Sequence, residues 1–155
     1  MGRERIVIVG GTGFVGSHLA KRLVADGHQV RILSRKRHER YPLPSDAKLM
    51  EGNVHNQTSL TDAFRGCTIA VNLVGILNEK GHNGDGFHQA HVALGEKVVA
   101  ACQANGIERL LHMSALGANA NDGPSFYLRT KGVAEDAVHA SELKVTSFRP
   151  SVIFG

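Results

Sequence analysis

The stretch "ERIVIVGGTGFVGSHLAKRLVADG", residues 4–27, decides the fold. Its first part, "ERIVIVG" (4–10), is rich in Val and Ile and apolar without alternation, which reads as a short strand buried on both faces. Its last part, "FVGSHLAKRLVADG" (14–27), sets Val15, Leu19, Leu23 and Val24 on one helical stripe and stops at Gly27. A strand covered on both faces belongs to a parallel sheet with helices packed against it.

The rest of the chain repeats this alternation. "HQVRILS" (28–34), "KLMEG" (48–52), "TIAVNLVG" (68–75), "ERLLHMSA" (108–115) and "KVTSFRP" (144–150) read as five further strands. Between them lie a short helix at 58–66, a long one of twenty residues at 87–106, and one that carries Tyr127. Strands alternating with helices make βαβ units, and right-handed crossovers then favour a doubly wound α/β sheet of three layers over residues 1–155.

Composition narrows the function classes. The 155 residues suffice for one domain with a real core, at 42% hydrophobic and 21% charged residues. No apolar run approaches the roughly 20 residues of a membrane-spanning helix. The N-terminus lacks a signal-peptide layout. The two cysteines, Cys67 and Cys102, are widely spaced and suggest neither a disulfide framework nor a zinc site, so the expected compartment is the reducing cytoplasm. His88 and His91, with His82 upstream, lack a carboxylate or cysteine partner at ligand spacing, and no metal is expected. His112, inside a strand, reads as a satisfied core histidine. The net charge of +4 resides in residues 31–40, where Arg31, Arg35, Lys36, Arg37 and Arg40 face Glu39. One local basic cluster without an aromatic platform argues against nucleic acid.

The glycine turn carries the chemistry. In "GGTGFVG", Gly10 permits a tight turn, Gly13 admits close approach of a pyrophosphate to the backbone, and Gly16 lets helix and strand pack closely. The amides that open the helix, around Thr12, Phe14 and Val15, then form an anion site. The turn lacks the Lys-Ser/Thr ending of an ATP-binding loop, so a dinucleotide is expected. A site for NAD usually carries an acid at the end of the second strand. Here Ser34, Arg35 and Lys36 stand instead, which suits a 2′-phosphate; NADP(H) is favoured over NAD(H).

With "GGTGFVG", Ser114 in "HMSALGA", "YLRTK" (127–131) and "RPSVIFG" (149–155), the chain resembles the extended or atypical branch of the short-chain dehydrogenase/reductase superfamily, the epimerase/dehydratase type. The wording "NLVGILNE", "LLHMSALGA" and "RPSVIFG" is most similar to the nucleotide-binding accessory subunit of respiratory complex I and its bacterial relatives. The resemblance implies that Tyr127 is a general acid/base. Lys131, at i+4, would lower its pKa from near 10 and hold the nicotinamide ribose, and Ser114 would hydrogen-bond the substrate oxygen. It further places Leu73, Val74, Gly75, Pro150 and Val152 along the cofactor, with Asn53 and Val54 at the adenine. Two departures stand out. Asn53 replaces the usual aspartate, and His91 replaces an asparagine of a proton relay. A histidine there either relays a proton or marks a lineage without turnover.

The resemblance also implies that extended members continue beyond "RPSVIFG" into a substrate-binding region, which is expected outside these residues. Three readings stay open: an enzyme acting on an unidentified small molecule, a non-catalytic subunit of a membrane-bound complex, and a regulator on the same fold. The retained Tyr127 and Lys131 disfavour the regulator. Oligomeric state is not legible.

Overall fold

A computed structural model describes residues 2–35 and 40–155. Among them, six parallel strands form one sheet in the order β3-β2-β1-β4-β5-β6. They are β1 Arg5–Val9, β2 Gln29–Ser34, β3 Lys48–Glu51, β4 Ile69–Asn72, β5 Arg109–Met113 and β6 Lys144–Phe148. The expected doubly wound sheet is therefore present. The order reverses between β1 and β4, which opens a crevice at the carboxyl ends of those two strands.

The apolar run of β1 serves both faces. Ile6 and Ile8 join Val30, Ile32 and Val71 in a cluster under α1 (Phe14–Ala25), with Leu19, Leu23 and Val24 packed against it. Val7 and Val9 join Leu33, Ala70 and Leu110 on the opposite face. There they meet α2 (Gln57–Phe64), α4 (Leu94–Ala104) and α5 (Phe126–His139) through Leu60, Phe64, Val98 and Val138. Each such side chain, removed from water, contributes about 1.5–3 kcal/mol.

The buried residues of α1 are the small ones, Gly16, Ser17 and Ala20, while Leu19, Leu23 and Val24 of the expected stripe pack against the cluster. One element differs from the sequence expectation. The long helix is not one α-helix. It runs as α3 (Asp85–His88), a π-helical turn (Gln89–Ala93), then α4. The extra residue of a π turn rotates the segment before it relative to the segment after it, and such turns gather at functional sites. His91 sits in its middle.

Candidate functional site

The turn after β1 is built for an anion. Gly10 has φ +84°, a conformation that side-chain-bearing residues rarely adopt. Gly13 caps α1 without a side-chain hydrogen bond, and the first turn carries no acidic residue, so its amides keep their donor capacity. At Gly16 a Cβ would strike the Gly10 carbonyl oxygen and lie 2.5 Å from the Gly11 Cα.

Two clefts of about 510 Å³ each meet at Gly10. One runs from Gly13, Phe14, Val15 and Gly16 past Leu73 and Gly75 to Ser114, Tyr127 and Lys131, with Pro150 and Val152 on its rim. The other runs from Thr12 past Ser34 and Arg35 to Val54, His55 and Val74. Lys36 lies outside the described residues. Asn53 is exposed, and its side-chain oxygen accepts from the His55 amide at 3.0 Å, which leaves Val54 and His55 on the cleft. Arg31 does not join the basic cluster. It donates to the carbonyls of Ala63 (2.7 Å) and Arg65 (2.8 Å) at the end of α2.

Lys131 is buried, donates from Nζ to the Met113 carbonyl at 2.9 Å, and lies beside Gly75, where a Cβ would approach Nζ to 3.1 Å. Burial pushes its pKa down to about 8. Tyr127 is half-buried, and burial raises its pKa; its hydroxyl has no hydrogen-bond partner among the described residues. The Lys131 ammonium donates to the Met113 carbonyl rather than to the Tyr127 hydroxyl.

His91 is buried between Phe87, stacked at 5.8 Å, and Tyr127, edge-on at 5.4 Å. The Ile76 amide donates to its Nε2 at 3.3 Å, so the ring hydrogen belongs on Nδ1, which donates to Thr130 Oγ1 at 2.9 Å. Thr130 in turn donates to the Phe126 carbonyl at 2.8 Å. Burial, Lys131 and His112 drive the His91 pKa down to about 3, and the ring is neutral. Both nitrogens are committed to protein partners, so His91 braces the loop after β4 and the Tyr127 ring.

Ser114 lines the cleft with Tyr127 and Lys131 and is also tied to α5. Its hydroxyl donates to Glu135 Oε2, and Arg149 Nε donates to both Glu135 oxygens at 3.0 Å. Burial alone would raise the Glu135 pKa, but the bonds from Arg149 and Ser114 outweigh it and hold the carboxyl below its usual range. The sequence reading missed this pair. One signal was available: Glu135 is at i+4 from Lys131, and a buried glutamate on that face needs a partner. Arg149 lies just past β6, which the sequence does not place beside α5. His112 is buried but not satisfied: neither ring nitrogen has a partner among the described residues, and burial lowers its pKa to about 4. Among those residues no group of three His, Cys, Asp or Glu is arranged for a metal ion, and no helix is long and apolar enough to cross a membrane.

The model of a family described as NAD(P)H-binding matches residues 10–154. The chain belongs to that family. Over 97% of its length it is 30% identical to the 2-alkyl-3-oxoalkanoate reductase of Stenotrophomonas maltophilia, of which it covers 51%. Over 96% of its length it is 30% identical to NADH dehydrogenase [ubiquinone] 1 alpha subcomplex subunit 9 of Arabidopsis thaliana, covering 38% of that protein. The chain therefore spans about half the length, or less, of these relatives. In fold it is similar to the NAD complex of UDP-glucose 4-epimerase from Thermus thermophilus, with a TM-score of 0.80 at 23% identity, covering 94% of this chain and 54% of that one.

Proposed function

We propose that this is the NADP(H)-binding half of a carbonyl reductase, in which Tyr127 exchanges a proton with a substrate oxygen and Lys131 orients the cofactor. The observation that carries the reading is the shared cleft: the glycine turn and the Tyr127–Lys131 face of α5 line one space. The uncapped start of α1 suits a pyrophosphate, and Arg35 at the end of β2 suits a 2′-phosphate. A bound NADP(H) would supply the hydride. Lys131, buried beside Gly75, lines the pocket that would take the ribose, and its withdrawal from Met113 toward the ligand would bring its charge to bear on Tyr127. Similarity to the Stenotrophomonas reductase supports a 3-oxo compound as substrate.

A second reading, a nucleotide-binding subunit without turnover, is favoured by Ser114. Its hydroxyl hydrogen is committed to Glu135, and His91 has no nitrogen left for a relay. Similarity to the Arabidopsis subunit supports the same reading. NADPH oxidation with a panel of 3-oxoalkanoates separates the two. The reductase reading expects turnover that falls at least about 100-fold in Tyr127→Phe, the loss of a positioned general acid. NADPH binding with no turnover by the full-length protein overturns it.

A further inference from the structure

The loop between β3 and α2 holds a histidine that the cofactor reading has not used. His55 is fixed by its backbone at both ends. Its amide donates to Asn53 Oδ1 at 3.0 Å, and its carbonyl accepts from Lys97 Nζ of α4 at 2.6 Å. Asn56 comes next as the cap of α2, accepting from the Ser59 amide at 2.9 Å. Gln57 ties the same segment to the Lys97 carbonyl at 3.1 Å. An Asx-type turn, a helix cap and a lysine thus hold the backbone around the residue. The imidazole itself has no hydrogen-bond partner among the described residues.

His55 and Arg35 line the same cleft, which starts at Gly10 and Thr12 and passes Ser34 at the end of β2. Among the described residues, the charges that act on the ring are Lys97 from α4 and Arg35 after β2, both cations; with burial, they hold the imidazole below its ordinary pKa. The Arg35 guanidinium likewise has no hydrogen-bond partner among the described residues. An imidazole and a guanidinium without hydrogen-bond partners among the described residues, at the place where a dinucleotide presents its ribose 2′ position, suit an anion between them.

We propose that His55 and Arg35 form a two-sided clamp for the 2′-phosphate of NADP(H), with His55 taking up a proton as the phosphate enters. This rests on the NADP(H) reading above and extends it to a residue from a different loop. Arg35 supplies a fixed charge and His55 a charge created on binding. NAD(H), which lacks the phosphate, leaves the imidazole neutral and the two groups unbridged. Preference for NADP(H) then rises as pH falls.

The test is calorimetric titration of NADPH, NADH, 2′,5′-ADP and 5′-AMP at pH 6.5 and 8.0, with wild type, His55→Gln, His55→Phe and Arg35→Ala, each checked for fold by circular dichroism. Loss of one charge-assisted hydrogen bond predicts that His55→Gln weakens NADPH and 2′,5′-ADP about tenfold at pH 6.5 and leaves NADH and 5′-AMP unchanged. The phosphate of the free ligand also titrates in this range, near pH 6, and that contribution is common to every variant. The wild type therefore gains more NADPH affinity on acidification than His55→Gln does. Equal weakening of all four ligands, rescued by His55→Phe, makes His55 a stacking partner of adenine and overturns the clamp. So does an identical pH profile in wild type and His55→Gln. A wild type that prefers NADH at both pH values refutes the NADP(H) reading itself, and the clamp with it.

Discussion

The family resemblance turns Ser114 toward a substrate, whereas its hydroxyl bonds Glu135, and a double-mutant cycle between the two residues measures which role it has. Ser114→Ala removes a hydrogen bond to a buried carboxylate, a loss of about 1.5–3 kcal/mol. Glu135→Ala leaves the Ser114 hydroxyl buried and unpaired, at about 1–3 kcal/mol. It also removes the Arg149 pair, which adds about 0–1 kcal/mol because the Arg149 side chain is 52% exposed. The double variant loses the shared bond only once, so the single effects overshoot the double by about 2 kcal/mol. For a chain of this size, each kcal/mol moves Tm by about 2–4 °C, and Glu135→Ala, losing about 2.5 kcal/mol at the middle of these ranges, should melt about 5–10 °C below wild type. Urea unfolding followed by circular dichroism at pH 7 gives all four corners of the cycle. The coupling also has a pH signature. Glu135 titrates lower in the folded than in the unfolded chain, so its contribution is complete above the ordinary carboxylate range and disappears as pH falls through the folded value. A coupling below about 0.5 kcal/mol at pH 7, within the range of inert surface changes, refutes the network and returns Ser114 to the substrate.

Lys131 loses its proton near pH 8 when folded and near 10.5 when unfolded, so between these the unfolded chain holds more protons and stability rises with pH. The rise is at most about 3.4 kcal/mol by urea unfolding, and Lys131→Met should flatten it. His91 stays neutral down to about pH 3 with its hydrogen on Nδ1; nitrogen-detected NMR of the ring should show that tautomer at pH 6, and a midpoint above about pH 5 would contradict it. Gly16→Ala and Gly13→Ala separate packing from binding. The former meets the Gly10 carbonyl and should lose about 1–3 kcal/mol of stability. The latter makes an ordinary 3.4 Å contact, so stability is kept while NADPH affinity, by calorimetry, falls.

Much of this protein could be read along the chain because the signals are local. A strand buried on both faces is a continuous run of Val and Ile, and the glycine turn declares itself by spacing, so β1, the turn and α1 were legible together. The i+4 spacing placed Tyr127 and Lys131 on one helix face. What the sequence could not carry was direction. Lys131 turns to the Met113 carbonyl, Ser114 to Glu135, and Arg31 to the end of α2, because strand register and helix docking decide which partner is nearest. The π turn, likewise, has no compositional mark, yet it fixes the ring of His91. By itself the sequence determined the fold and the turn that suits a dinucleotide, since both arise from local periodicity and backbone freedom. The tertiary structure alone decided the state of each polar group in the cleft, since that depends on burial and on partners distant in the chain.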